Sequence, residues 1–312
     1  MHLLLFGSFS RVGRETLKWL ISSKCCTKIL CPVPHSEKAL PVIEIAKSQS
    51  IVQPVYMDSR DITRSKLRGL LMNHQIDTSI VHINHAHFLT TTEDLGRSCD
   101  QERRELEEIA FAFHSHRQLK TIVLSSLLDC DRTDLSHFSM FKTRIETEQR
   151  FYELLPEKKI ITIRLPFFFD NLIKENFVTR QLPLKPPLRP DAPIAGIAAS
   201  DVGRALVGCL VNSNKYDSTA YNFVSDVFTF EQLSDLLNVD VDDSAEIRNQ
   251  MHAELKSFYE EIERKPWVGC STLEVNFVPV KFSQWVVEHL QSQFKTVQRE
   301  EEVTQFTGIS RE

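Results

Sequence analysis

The residues best suited to chemistry stand near the start of the chain, in a short glycine loop. An apolar run at 2–6 leads into Gly7, and Gly13 closes the segment G-S-F-S-R-V-G. Glycine accepts the backbone angles of a tight turn, and such a turn between a strand and a helix brings backbone N–H groups close to a pyrophosphate. The segment therefore predicts a dinucleotide site. The alternative is a structural turn in an α/β domain that binds no nucleotide. The expected contacts in this loop are Gly7, Phe9, Ser10, Arg11, Val12 and Gly13.

Ser10 stands where such a loop would carry a third glycine. Its hydroxyl can face a phosphate, but its side chain also fills space where the backbone should approach the ligand. Arg11 and Arg14 add positive charge that either pairs with phosphate or is solvated at the surface. The loop thus keeps the glycine spacing of a nucleotide-binding turn at its two ends, but a serine stands where the third glycine would be.

The elements that position this loop alternate between short apolar runs and longer amphipathic ones, which indicates βαβ units and a parallel sheet. Strands are predicted at 2–6, 28–33, 51–57, 78–83, 120–125, 159–165 and 219–224, and helices at 15–22, 101–114, 143–154, 201–210 and from Thr229. We expect an α/β fold, namely a Rossmann-type doubly wound parallel sheet with a smaller C-terminal α/β substrate lobe.

The domain organisation follows from where the pattern changes. A stretch with five prolines at 181–193 predicts an extended loop, and the chain becomes strongly charged after about residue 298. We therefore predict a dinucleotide-binding domain at 1–165, a smaller substrate or partner lobe interleaved with the sheet at 166–297, and a charged tail at 298–312.

Composition narrows the class of protein. A net charge of −5 argues against a dedicated nucleic-acid binder. No apolar run has the roughly 18 residues that a membrane helix needs, so we expect a cytoplasmic protein without membrane contact. Its seven cysteines are then expected to be reduced thiols. The grouped histidines at 82, 85 and 87 lack a further ligand nearby in sequence, and no metal site is predicted.

Polar residues end two strands of the predicted sheet. Asn84 and His85 follow the fourth strand, and Ser125 and Ser126 end the fifth. Ligands of open α/β sheets bind outside the carboxyl ends of the strands, so we expect Asn84 to contact the dinucleotide. Ser125 and His85 are candidate catalytic groups. The alternative for the serines is that they bond to loop backbone groups.

Five segments in register carry a resemblance to a known family. They are G-S-F-S-R-V-G from Gly7, Asp58 after the third strand, F-K-T-R-I-E-T-E-Q-R-F from Phe141, I-T-I-R-L-P-F-F-F-D-N-L from Ile161 and A-S-D-V-G-R-A-L from Ala199. Over roughly residues 1–240 the chain resembles the NmrA-like branch of the atypical short-chain dehydrogenases/reductases. The resemblance implies a bound NADP(H) or NAD(H). Some members of the family reduce isoflavones, quinones or dyes, and others bind the nucleotide as redox-sensing regulators.

The resemblance also assigns roles to particular residues. It implies that Asp58 lies close to the adenine and that Lys142 bonds the nicotinamide ribose or polarises a carbonyl; a solvated helix lysine is the alternative. Phe167 is expected beside the nicotinamide, or else in the core. His35 is an expected cofactor contact next to Pro34, where NADP-preferring members carry an arginine. The preference between NADP(H) and NAD(H) therefore stays open.

Phe138 is the main departure from dehydrogenase chemistry. It stands four residues before Lys142, where the Tyr-x-x-x-Lys motif has a tyrosine, and a phenyl ring cannot donate a proton. The sequence thus favours an NAD(P)(H)-binding redox sensor or regulator with weak or no catalysis, which would act on a regulatory protein partner. One alternative is an NAD(P)H-dependent reductase of a small aromatic or quinone-like substrate, with Lys142 and a cleft histidine or serine as polar groups. The other is a scaffold that no longer binds nucleotide.

Overall fold

Strands and helices alternate along the chain, as a parallel α/β sheet requires. The computed structural model describes residues 1–58, 61–83, 95–174, 186–241 and 253–290. The strands are β1 (His2–Phe6), β2 (Lys28–Val33), β3 (Val52–Tyr56), β4 (Thr78–Val81), β5 (Thr121–Leu127), β6 (Lys159–Leu165), β7 (Phe167–Phe168), β8 (Ile194–Ile197), β9 (Ala220–Asn222) and β10 (Asp226–Phe228). The helices are α1 (Arg11–Ser23), α2 (Leu40–Ser48), α3 (Arg64–His74), α4 (Leu95–His114), α5 (Ser139–Leu154), α6 (Asn171–Lys174), α7 (Ala199–Val211), α8 (Phe230–Leu237), α9 (Ala253–Arg264) and α10 (Phe282–His289).

Seven of these strands form one parallel sheet in the order β3-β2-β1-β4-β5-β6-β9. The direction of winding reverses between β1 and β4, and open α/β sheets bind ligands at such a switch point. The predicted Rossmann-type α/β fold is confirmed by this order. A smaller sheet in the order β10-β8-β7 pairs β8 parallel to β7 and antiparallel to β10.

The sheet is buried on both faces, which explains its near-continuous apolar strands. Leu4 and Phe6 of β1 pack in a cluster with buried residues of α3, α4 and α5. Leu3 and Leu5 point to the other face by strand alternation and are fully buried. Helix α7 packs along α1. The strand that leads into the glycine loop is thus fixed in place by packing on both faces of the sheet.

The chain forms two compact units. The first holds Met1–Pro166, Ala199–Phe223 and Gly269–Phe277, and the second holds Phe167–Ala198, Val224–Val268 and Val278–Glu312. Helix α7 and strand β9 therefore belong to the first unit. The domain bounds given from the sequence stay a prediction.

An aromatic cluster forms much of the core of the second unit. Phe169 is fully buried, and its ring centroid lies 5.7 Å from that of Phe228, 5.2 Å from that of Phe282 and 5.8 Å from that of Trp285. The Phe228 and Phe282 rings stack at 4.2 Å. Offset and edge-on aromatic contacts of this kind add to the stabilisation from buried area.

Several element boundaries differ from the sequence prediction. Helix α5 begins four residues earlier than expected, because Phe138 takes an extended backbone at its N-cap. Helix α3 was not predicted because its apolar stripe of Leu67, Leu70 and Leu71 is only about one turn long. Among the helices of the described ranges, none is long and apolar enough to cross a membrane.

Candidate functional site

The glycine loop turns where β1 meets β4. Gly7 has a φ of +76°, and a Cβ placed on it would lie 1.8 Å from the backbone oxygen of His82. A Cβ on Gly13 would lie 2.0 Å from the backbone oxygen of Gly7. Both positions therefore have room for glycine alone. They bring the start of α1 against the carboxyl ends of β1 and β4.

Ser10 caps the helix that follows the loop. Its Oγ accepts a hydrogen bond from Gly13 N at 3.0 Å, and its own N–H donates to Gly7 O at 2.9 Å. The hydroxyl oxygen thus stabilises the first turn of α1, a role that the sequence analysis did not assign to it. This bond satisfies one of the amides that a helix N-terminus leaves unpaired.

The other predicted contacts of the loop surround this cap. Arg11 is the first residue of α1, Val12 is 3% exposed, and Phe9 is half-buried. The Nε of Arg14 is buried without a hydrogen-bond partner in the part of the chain that the structure describes. Buried donors are normally satisfied, so this atom stands out beside the loop.

His35 and Asp58 are brought together at the carboxyl ends of β2 and β3. The backbone N–H of His35 donates to Asp58 Oδ1 at 2.9 Å. The imidazole of His35 stacks on the ring of Tyr56, with centroids 4.8 Å apart and planes 19° from parallel. His35 and Tyr56 are exposed. The two predicted cofactor contacts thus form one small surface with Tyr56, which the sequence analysis did not single out.

A buried histidine–serine pair lies at the carboxyl ends of β4 and β5. His82 Nδ1 and Ser125 Oγ are 2.8 Å apart, and the two residues are 6% and 4% exposed. An imidazole and a hydroxyl each donate and accept hydrogen bonds, so the tautomer of His82 decides which of the two residues donates in this bond. Asn84 and His85, the residues predicted here, lie outside the described residues.

His82 was not among the predicted site residues, although a signal for it exists. Strands β4 and β5 pair with Val81 opposite Leu124. His82 directly follows β4 and Ser125 is the next residue of β5, so the parallel register places them side by side. The register of β4 and β5 distinguishes His82 from the other histidines nearby in sequence, and this register was not part of the sequence prediction.

Lys142 lies on the exposed face of α5. Its side chain is 64% exposed, and its Nζ lies 3.9 Å from Glu146 Oε1 one turn further on. Phe138 caps the same helix and is 4% exposed. Its ring lies 3.9 Å from that of His137. The aromatic residue in the tyrosine position is therefore packed into the protein.

An ionic cluster is centred on Arg164 and the buried carboxylate of Glu148. Arg164 of β6 donates to both carboxylate oxygens of Glu148, the shortest contact being 2.6 Å, and to Asp131 Oδ2 at 2.7 Å. Cys130 Sγ donates to Glu148 Oε1 at 3.2 Å. Burial raises the pKa of the Cys130 thiol, and the charge of Glu148 raises it further. The cluster ties β6, α5 and the segment after β5 together.

Phe167 belongs to the second unit. It is 5% exposed, and its ring lies 5.9 Å from that of Phe228. Within the residues that the structure describes, no group of three or more His, Cys, Asp or Glu side chains is arranged to hold a metal ion.

The fold is shared with known oxidoreductases and epimerases. A nucleoside-diphosphate-sugar epimerase from Staphylococcus aureus is 14% identical, with a TM-score of 0.69 over 92% of this chain and 99% of that one. The Citrobacter triphenylmethane reductase complexed with NADP(H) is 12% identical, with a TM-score of 0.68 over 93% of this chain and 100% of that one. The Vitis vinifera leucoanthocyanidin reductase–NADPH complex is 12% identical, with a TM-score of 0.59 over 95% and 99%.

The sequence matches no protein-family model and no curated protein. At identities this low, the likeness to solved structures establishes the Rossmann-type fold of the chain. A shared fold does not define the chemistry of a site, which depends on the residues that form it.

Proposed function

We propose that the chain is a divergent NmrA-like protein that binds NADP(H) or NAD(H) and acts as a redox-sensing or regulatory binder with weak or no catalysis. The observation that carries the proposal is the turn at Gly7 and Gly13, which has no room for a side chain and leads into α1 at the switch point of the sheet. Two similar folds, the triphenylmethane and leucoanthocyanidin reductases, are complexes with NADP(H) and NADPH.

The charges around the loop support an anionic ligand. The N-terminus of α1 carries a partial positive charge, and Arg11 adds a full one beside it. The buried Nε of Arg14 is a donor without a partner among the described residues, which a phosphate oxygen would satisfy. The His35 and Asp58 surface at the ends of β2 and β3 is suited to the adenosine end of the nucleotide.

The proposal of weak or absent catalysis is supported by Phe138 and Lys142 at the start of α5. A dehydrogenase needs an acid that exchanges a proton with the substrate oxygen, and the buried ring of Phe138 cannot do so. Lys142 is solvated and paired with Glu146, as expected for a surface lysine. Nucleotide occupancy would then act on the affinity for a protein partner.

Nucleotide titration with matched variants tests binding. We expect calorimetry to detect NADPH or NADH, and Arg11→Glu to weaken binding at least about tenfold, or ~1.4 kcal/mol. A glutamate at the first position of a helix favours the helix, so this variant should stay folded. Lys18→Glu makes the same charge change further along α1, at an exposed residue, and should bind as the parent does. Failure of both nucleotides to bind at millimolar levels would refute the proposal and leave a scaffold without nucleotide.

A reductase is the second candidate, and the His82–Ser125 pair favours it. The pair stands at the strand ends beside Gly7 and would replace the missing tyrosine as proton donor to a small aromatic or quinone-like substrate. The test is loss of NADPH absorbance with a panel of quinones. Turnover that Ser125→Ala and His82→Gln each lower, with nucleotide affinity unchanged, supports the reductase. Turnover abolished by Lys142→Ala instead assigns the polar role to the lysine.

A further inference from the structure

Two adjacent thiols lie close together in the loop between α1 and β2. Cys25 Sγ and Cys26 Sγ are 3.6 Å apart, within the range of a sulfur hydrogen bond. Ser23 Oγ donates to Cys25 Sγ at 3.0 Å. Cys25 is half-buried and Cys26 is 5% exposed. The loop stands at the amino ends of the strands, whereas the glycine loop stands at the carboxyl ends, so the pair is separate from the candidate nucleotide site.

The two thiols differ in charge state. The hydrogen bond from Cys26, together with a weaker effect of Ser23, lowers the pKa of Cys25 to about 6 against the opposing effect of partial burial. The same bond to Cys25, together with burial, raises the pKa of Cys26. The hydrogen bond between the two sulfurs therefore favours the thiolate form of Cys25 and the thiol form of Cys26. A thiolate is the reactive form of cysteine.

The other cysteines are less suited to reaction. Burial raises the pKa of Cys31 to about 12 and that of Cys209 to about 12. Cys99 and Cys130 are buried as well. Cys270 is exposed and provides an internal comparison for accessibility.

We propose that Cys25 and Cys26 are a redox modification site, at which hydrogen peroxide converts the vicinal dithiol into a vicinal disulfide. The Cys25 thiolate attacks one peroxide oxygen, the O–O bond breaks, and hydroxide leaves and takes up a proton to form water. The resulting sulfenic acid of Cys25 is attacked by Cys26 sulfur as its proton is lost. The S–S bond forms, the S–O bond breaks, and a second water leaves. The peroxide is reduced by the two electrons that the two thiols give up.

The product is expected to be reversible. Adjacent Cα atoms are about 3.8 Å apart, below the roughly 4.4–6.8 Å that most disulfides span, so the new bond is strained and easily reduced. Strained disulfides have the more oxidising potentials of labile and regulatory bonds. The residues involved belong to neither α1 nor β2, so the loop can adjust without breaking either element. This inference goes beyond the proposed nucleotide function and does not depend on it.

Peptide mapping tests the proposal directly. Trypsin cleaves after Lys24 and Lys28 and releases the tetrapeptide 25–28, which contains these two cysteines and no others. The native chain is treated with hydrogen peroxide, alkylated after denaturation and digested. We expect the tetrapeptide to lack both alkyl groups and to weigh two hydrogen atoms less than the unalkylated dithiol, and we expect a dithiol reductant to restore alkylation. The Cys270→Ser chain should give the same result.

Variants of each cysteine separate the two chemical steps. In Cys26→Ser, the resolving thiol is missing, so dimedone should label Cys25 as a sulfenic acid. In Cys25→Ser, neither the label nor the disulfide should form. Recovery of a doubly alkylated tetrapeptide at peroxide levels that already oxidise Cys270 would overturn the proposal, as would a disulfide that joins Cys25 to a cysteine other than Cys26.

A trivalent arsenical gives a second measurement that does not involve oxidation. Soft thiolates are its preferred ligands, and two neighbouring sulfurs bind one arsenic. We expect phenylarsine oxide to bind the parent chain once at this pair, to resist a monothiol competitor and to protect the tetrapeptide from alkylation. Each single cysteine variant should lose this protection. Equal protection in the parent and the variants would contradict the assignment of the two sulfurs as one site.

Discussion

The backbone of Gly7 contacts the carbonyl group of His82 so closely that a Cβ on Gly7 would lie 1.8 Å from the His82 oxygen. This contact joins the end of β1 to the end of β4, the two strands between which the winding of the sheet reverses. The glycine loop and the His82–Ser125 pair are therefore parts of one strand edge. Any nucleotide bound at the loop would lie next to the pair.

Substitution of Gly7 tests this contact. Gly7→Ala should destabilise the protein by at least about 2 kcal/mol, because the left-handed backbone costs an L-residue roughly 1–2 kcal/mol and the overlap with the His82 carbonyl adds to it. Gly69→Ala is the matched control, since Gly69 lies in α3 with nothing within 4 Å of its missing Cβ. It should gain about 0.5–1 kcal/mol. Urea unfolding of both variants measures the difference, and equal stabilities would show that the chain does not turn at Gly7 in this way.

The Arg164–Glu148 ion pair is expected to contribute to the free energy of unfolding. Glu148 is 4% and Arg164 is 12% exposed at the side chain, and loss of the Glu148 charge leaves Arg164 with its bond to Asp131, whose side chain is 57% exposed. We expect Glu148→Gln to lower the free energy of unfolding by about 1.5–3 kcal/mol, because buried hydrogen bonds to a charged group are lost. The surface pair of Asp100 and Arg103 is the comparison, with both side chains at least half exposed. Asp100→Asn should change stability by less than about 1 kcal/mol, and similar losses in the two variants would argue against a buried cluster.

The fold was predictable from the sequence, because a parallel sheet buried on both faces leaves a simple pattern. Its strands read as apolar runs separated by helical segments, and strands 2–6, 28–33 and 159–165 have the predicted bounds. Helix α3 escaped prediction because its apolar stripe of Leu67, Leu70 and Leu71 extends over only about one turn. The second sheet escaped as well, since strands of two to four residues are too short to show alternation.

The candidate site was only partly predictable. The glycines are required by a turn within one short segment, whereas the side-chain pairs join residues that are far apart in the sequence. Gly7 and Gly13 are needed by the turn itself. The bond between His82 and Ser125 depends on strand register, and that between Arg164 and Glu148 joins a strand to a helix. The adjacency of Cys25 and Cys26 is visible in the sequence, but the hydrogen bond that lowers the pKa of Cys25 is not.

Ser10 makes a prediction that separates its capping role from its effect on nucleotide binding. Its Oγ accepts a bond from Gly13 N, so Ser10→Ala should cost about 1 kcal/mol of stability, while Ser10→Gly should cost only a few tenths. Glycine also removes the side chain from the place where backbone should approach a pyrophosphate. We therefore expect NADPH to bind Ser10→Gly more tightly than Ser10→Ala. Calorimetry measures both, and equal affinities would show that the side chain does not obstruct the ligand.

His116 links stability to pH. It is 6% exposed, its Nε2 lies 3.0 Å from Ile76 O, and Lys158 Nζ donates to its backbone oxygen at 2.8 Å. Burial lowers the pKa of His116 below its ordinary value of 6.5, and the charge of Lys158 lowers it further. Below that ordinary value the unfolded chain binds a proton that the folded chain does not, so stability must fall as the pH falls.

The stability that His116 contributes is fully present above pH 6.5 and is lost as the pH falls through the lower pKa of the folded protein. His116→Gln keeps an amide donor for Ile76 O but does not titrate. Its free energy of unfolding should therefore fall less steeply than that of the parent between about pH 7 and pH 5. Urea unfolding at pH 8, where the histidine is neutral in both states, gives the packing cost of the substitution alone. Parallel stability curves for the two proteins across this range would rule out the buried, neutral histidine.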